Sequence, residues 1–357
     1  MSRKLLSYTA ISLVLGNAAF ADVPKVAVDI APVHSLVARV MEGVGTPKLV
    51  IPAGASPHGY SLRPSEAKSL QDADMVIWMG EDLAPWMENS IETLSNNAEV
   101  ITLLEESGTK LLDFREGALF EEHDHGDHDD HDDHDKDHDD HDDHDDHDDH
   151  DKDHDDHDDH DDHDDHDDHD KDHDDHDDHD DHDEHAHGEH DPHAWLSIEN
   201  AQTWLNLVAG KLSAADPENA GVYFANAAEA RAEIDELVKE VNNILEPVRG
   251  RNFVVFHDAY QYFETSFDFP AAGAISLGDA SDPSAARIAE IQDRVKDEGI
   301  NCVLSEPQYN PNLVTTVLSG TDAKTGVIDP LGASLEPGPN LYRDLIRNMA
   351  KSLAGCL

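Results

Sequence analysis

Cations are scarce in this 357-residue chain: 24 lysines and arginines stand against 80 aspartates and glutamates, for a formal charge of −56. That balance argues against a nucleic-acid partner, because phosphate binding needs clustered Lys and Arg to displace counterions. A cation fits it as partner. Long apolar runs are missing too. The one candidate, near Leu5 to Leu15, is too short and too interrupted by Ser7, Ser12, Gly16 and Asn17 to span a bilayer. With basic residues before it and Ala19-Phe20-Ala21 after it, the stretch reads as a signal peptide over residues 1–21, cleaved after Ala21, which sends the chain to the periplasm. Cysteine is reduced to Cys302 and Cys356. In an exported protein such a pair is expected as a disulfide, and the absence of CxxC spacing counts against a thiolate metal site.

The acidity is concentrated. Residues 121–190 hold 41 of the 80 acidic residues, 23 of the 27 histidines and three lysines. In HDDHDDHDDHDDHDDHDK, from His154 to Lys171, every residue but the last is a potential metal ligand. Nothing in such a tract builds a core, and carboxylates at two of every three positions repel one another. A disordered loop is expected there. Its three-residue repeat matches no apolar helical or strand face, which counts against a solenoid.

On both sides of the tract short β-rich runs alternate with amphipathic helical stretches. KVAVDI, PKLVI, DMVIWMG and EVITLL precede it, separated by helices near residues 33–42, 63–72 and 85–95. FVVFH, FPAAGAI, NCVLSE and TGVIDP follow, with helices near 259–265, 283–297, 311–318 and 340–353. Each series predicts an α/β lobe with a parallel four-stranded sheet flanked by helices. Between them a helix near 197–212 precedes DPENAGVYFANAAEARAEIDELVKEVNNILEPV, where Asp216 and Pro217 open a helix of about thirty residues, a rigid strut between lobes. The expected organisation is therefore an N-terminal lobe over 22–215 carrying the loop 121–190, a linker helix over 216–246 and a C-terminal lobe over 247–357. Ligands of open α/β sheets bind beyond the strand ends, so the cleft between the lobes is the expected site.

Only four histidines lie outside the tract. His34 falls at a helix start in APVHSL. His58 is in the loop GASPHGYSLRPSE, His193 in the turn DPHAWLS, and His257 ends the strand FVVFH. Three imidazoles at loop positions of a two-lobe protein can converge on one cleft and bind Zn(II), with water or Asp329 of TGVIDP as a fourth ligand. Asp258, next to His257, can orient an imidazole or cap the following helix.

GASPHGYSLRPSEAKSLQDADMVIWMG, DPHAWLS, FVVFHDAYQYFE, EPQYNP and IDPLG, in this order and spacing, resemble the periplasmic zinc-binding components of ABC uptake transporters, the ZnuA type within the metal-binding solute-binding proteins. The resemblance covers essentially the whole mature chain. It implies two lobes bridged by one long helix, His58, His193 and His257 as metal ligands, and delivery of zinc to an inner-membrane ABC permease by a protein expected to be monomeric. Manganese-binding relatives carry a carboxylate where this chain has His257, so zinc is favoured. Gly59 and Pro57 stand where family members carry acidic residues, which leaves water or Asp329 for the fourth position. The family also carries a histidine-rich loop, so secondary zinc sites are expected within the tract, at His123, His125, His128, His185, His187 and His190 among others.

Two other readings compete. Three histidines and an open position also make a hydrolytic zinc centre, but no HExxH or comparable motif supplies a base. A metal buffer working through the tract alone is the other.

Overall fold

The computed structural model describes residues 23–115, 190–276, 284–297, 299–309 and 311–357. The leader and the tract positions His123, His125, His128, His185 and His187 lie outside the described residues.

The first lobe runs β1 (Val26–Val28), α1 (Ala31–Val40), β2 (Lys48–Leu49), α2 (Pro64–Gln71), β3 (Met75–Trp78), α3 (Pro85–Leu94) and β4 (Glu99–Thr102). Its strands form one parallel sheet in the order β2-β1-β3-β4. After α4 (Ile198–Ala215) and the long α5 (Ala220–Leu245), the second lobe repeats the plan with β5 (Phe253–His257), α6 (Gln261–Phe267), β6 (Gly273–Ser276), α7 (Ala285–Asp297), β7 (Cys302–Ser305), α8 (Pro311–Val317), β8 (Lys324–Val327) and α9 (Leu341–Cys356). Its parallel sheet has the order β6-β5-β7-β8. In both sheets the strand order reverses beside the first strand, between β1 and β3 and between β5 and β7, which is where α/β sheets open a crevice for ligand.

The strand β5 shows how the pattern becomes a fold. Its five residues are all buried, as expected of a parallel strand covered on both faces. Phe253 and Val255 face one core, shared with the first lobe and α5; Val254 and Phe256 face a second, smaller core beneath α7 and α8. The alternation carries His257 to the face of Phe253 and Val255, toward the first lobe.

The strut α5 buries Tyr223, Ala227, Ala230, Ile234, Leu237, Val241 and Leu245, a three-and-four spacing that keeps one stripe inward. Its 26 residues extend about 39 Å, with single 3₁₀ turns at Pro217–Asn219 and Glu246–Val248. Charges pin it to both lobes. Glu233 takes Arg39 of α1 at 3.2 Å and Arg343 of α9 at 3.2 Å, and Glu240 takes Arg347 at 2.7 Å. The expected disulfide is present between Cys302 and Cys356, fastening α9 to β7. No helix among the described residues is long and apolar enough to cross a membrane.

Candidate metal centre

Each of the three lobe histidines is delivered by a different local device. His58 lies in the loop between β2 and α2. That loop turns at Gly54, whose left-handed φ of +89° suits a residue without a side chain, and a Cβ added there would stand 3.4 Å from the Ala333 Cβ of the second lobe. Trp86 of α3 donates its indole N–H to the Pro57 carbonyl at 2.7 Å, and the Tyr60 hydroxyl donates to Glu66 of α2 at 2.9 Å. His193 follows a tight turn in which Asp191 Oδ1 accepts from the His193 backbone N–H at 2.9 Å and contacts its Nδ1 at 2.7 Å. A single 3₁₀ turn over Ala194–Leu196 follows, and Ser197 then caps α4 through the Asn200 N–H. His257 is the last residue of β5, and its Nδ1 lies 2.6 Å from Glu306 Oε1.

The three rings meet. One ligand-capable nitrogen from each of His58, His193 and His257 lies within 4.8 Å of the others. His193 and His257 are buried, at 2% and 3% exposure, whereas His58 is half-buried. Both Nδ1 atoms are turned to carboxylates, and the two Nε2 atoms stand 3.4 Å apart. Tetrahedral ligands about 2.05 Å from a zinc ion stand about 3.3 Å apart, so the pair is already at coordination distance. The cavity beside the rings has a volume of about 10 Å³ and is lined by Trp195, Glu306, Gln308, Tyr309, Pro330 and Leu331 as well as the histidines. That is room for one water-sized sphere.

Asp329 is not one of this group. Its Oδ1 accepts from the N–H groups of Leu331 and Gly332, each at 3.0 Å, and its Oδ2 from that of Ala333 at 2.6 Å. The carboxylate folds its own loop, whose Pro330 carbonyl then accepts the Trp195 indole N–H at 2.8 Å. His190, expected among the tract's metal sites, bridges antiparallel to Asp113, with its Nδ1 2.9 Å from Asp113 Oδ1. Asp258, considered from sequence as an imidazole orienter or a helix cap, pairs with Arg115, which also reaches Glu264 at 2.8 Å. Burial pushes the Asp258 carboxyl up to about 6 against the pull of that guanidinium. His34 sits within α1 and bonds the Pro47 carbonyl at 3.2 Å, its pKa lowered by burial.

Sequence reasoning missed Asp191, Glu306 and Arg115. Asp191 and Glu306 each precede a proline, but so do Asp216, Glu246, Asp282, Asp329 and Glu336, so the dipeptide does not single them out.

Two parallel α/β lobes, a long helical strut and a buried imidazole cluster at their junction define a metal-binding solute-binding protein. The chain belongs to the zinc-uptake complex component A family, a periplasmic family whose pattern matches residues 26–356. It is 46% identical over 332 residues to the high-affinity zinc uptake system protein ZnuA of Brucella abortus, covering 93% of this chain and 91% of that protein. It is 45% identical over 355 residues to the protein of the same name from Paracoccus denitrificans, covering 98% of each. Among solved structures, a crystal structure of ZnuA superposes with a TM-score of 0.66 at 18% identity, covering 94% of this chain and 99% of that one. A manganese-bound periplasmic metal-binding protein from Candidatus Liberibacter asiaticus superposes at 0.63 and 18% identity, covering 93% and 98%. At that identity the likeness concerns the fold.

Proposed function

We propose that this protein captures Zn(II) in the periplasm with His58, His193 and His257 and hands it to an inner-membrane ABC permease for import. The observation that carries this reading is the convergence of three imidazole nitrogens within 4.8 Å at the junction of the lobes. Imidazole is a borderline donor that suits Zn(II) better than Mn(II), which prefers oxygen and stands lower in the affinity order of divalent ions. Water or Asp329 completes the coordination, Asp329 being the carboxylate that accepts from the N–H groups of Leu331, Gly332 and Ala333.

The protein does no bond chemistry in this reading. Among the described residues, Asp191 and Glu306 are carboxylates in contact with the site's rings, and each holds an imidazole Nδ1, so neither is poised as a base over bound water. It works as a monomer after loss of residues 1–21, and the histidines and carboxylates of the tract gather further zinc. Calorimetry of the intact chain and of a chain lacking 122–185, with Zn(II) and Mn(II), tests this. One tight zinc equivalent survives the deletion while the weaker ones vanish, and manganese binds less tightly than zinc at the retained site. Loss of the tight equivalent with the tract would make the protein a buffer, and zinc-dependent hydrolysis abolished by His193→Ala would make it an enzyme.

A further inference from the structure

We infer that Glu306 is a positioning residue of the metal centre, holding His257 so that Nε2 and not Nδ1 is the ligand atom. The inference rests on the zinc-site reading above and assigns a role to a residue that supplies no ligand in it.

The placement follows from strand pairing. β5 and β7 are adjacent and parallel, with Phe253 opposite Cys302 and Val254 opposite Val303. Carried on, the same register sets His257 opposite Glu306, one residue past the end of β7. Cys302 and Leu304 face the core shared with the first lobe, so the alternation turns Glu306 to the same face as His257. The two side chains therefore stand side by side where the strand order reverses.

The contact is short and dry. Glu306 is 3% exposed, and its Oε1 lies 2.6 Å from His257 Nδ1, just under the roughly 2.7–2.9 Å of charge-assisted N–H···O bonds. An imidazole can bind metal through either nitrogen, and when nothing holds the ring a half-turn about Cβ–Cγ puts Cδ2 in the place of Nδ1 and Cε1 in the place of Nε2 at little cost. A buried acceptor on Nδ1 removes that freedom and keeps Nε2 turned to His193 Nε2, 3.4 Å away. Asp191 does the same for His193, but from two residues away within one turn. Glu306 is 49 residues from its histidine and reaches it only because the second lobe is folded. It therefore makes donor geometry a property of the assembled sheet.

The test uses the full-length chain and three variants, Glu306→Gln, Glu306→Ala and His257→Ala. Zinc affinity is read by competition with a chelator, and coordination geometry by the visible spectrum at half an equivalent of Co(II), which fills the tightest site first. A glutamine carbonyl can still accept from Nδ1–H, so Glu306→Gln keeps the cobalt bands and stays within about threefold of the parent in affinity. Glu306→Ala frees the ring, costs about 10–100-fold in zinc affinity and shifts the bands. Glu306→Ala with unchanged affinity and spectrum overturns the inference, and so does Glu306→Gln failing as badly as Glu306→Ala, which would make the carboxylate itself a ligand or its charge the essential quantity. His257→Ala separates the two levels: if it binds zinc as tightly as the parent, the zinc-site reading fails, whereas a defect in it with none in Glu306→Ala defeats only the role given to Glu306.

Discussion

Replacing Asp29 with asparagine should change the stability of the chain in a way that reverses with pH. Asp29 follows β1 directly and is fully buried, and its two oxygens accept from the Ile30 and Met79 N–H groups, each at 2.7 Å. It thereby ties β1 to the end of β3 across the crevice of the first lobe. Burial outweighs those two bonds and pushes its carboxyl from the usual 3.8 up to about 7. The folded protein thus keeps this proton at pH values where the unfolded chain has lost it. The stabilisation from that proton is complete below about pH 4, declines as pH rises and is gone above about pH 7. Between pH 5 and pH 8 the loss is on the order of 3 kcal/mol, from about two pH units at 1.36 kcal/mol each. Asparagine does not titrate, but its amide group cannot accept from a backbone N–H, so one of the two bonds is lost at every pH, a cost of about 1–3 kcal/mol. In urea unfolding, Asp29→Asn is therefore the less stable protein at pH 5 and matches or exceeds the parent at pH 8. The other titrating groups, the tract included, are common to both proteins and cancel in the difference. A stability difference that stays constant from pH 5 to pH 8 would refute the reasoning.

The other expectations concern the scaffold. Converting Cys302 and Cys356 to alanine opens a link across 54 residues and lowers stability by about 4 kcal/mol in the chain-entropy view, read as a lower urea midpoint; an unchanged midpoint would mean that packing of α9 alone holds it. A methyl group at Gly326 would meet Leu304 Cδ2 at 2.8 Å and Cys356 Cβ at 3.1 Å, so Gly326→Ala costs about 1–3 kcal/mol in the same assay, and a neutral result would show that β8 gives way freely. Arg115→Met leaves Asp258 and Glu264 buried without their cation and costs about 3 kcal/mol, whereas a loss below about 1 kcal/mol would show that water reaches the carboxylates.

Much of the lobes could be read from pattern, because a parallel strand covered on both faces is a continuous apolar run and FVVFH or MVIW can hardly be anything else. The three histidines were visible for the opposite reason: they are polar residues placed at the ends of such runs or in the loops beyond. What supports them was hidden, since His257 and Glu306 become neighbours only through the pairing of β5 with β7, and no local spacing encodes which strands pair. The part played by Asp329 was hidden for a related reason. A carboxylate beyond a strand end can serve an ion or backbone N–H groups, and only the course of the loop from Pro330 to Ala333 shows that it takes three of the latter. Arg115 gave no signal, because its partners lie 143 and 149 residues away in sequence.

The central claim is that one zinc ion sits among three imidazoles from separate segments of the chain. Diffraction at the zinc absorption edge from crystals of the protein loaded with a single equivalent tests it most directly. One dominant anomalous peak is expected, about 2.0–2.1 Å from a ring nitrogen of each of His58, His193 and His257 and reached through Nε2 in the latter two. A dominant peak elsewhere, or one at the junction with any of the three rings turned away, would contradict it.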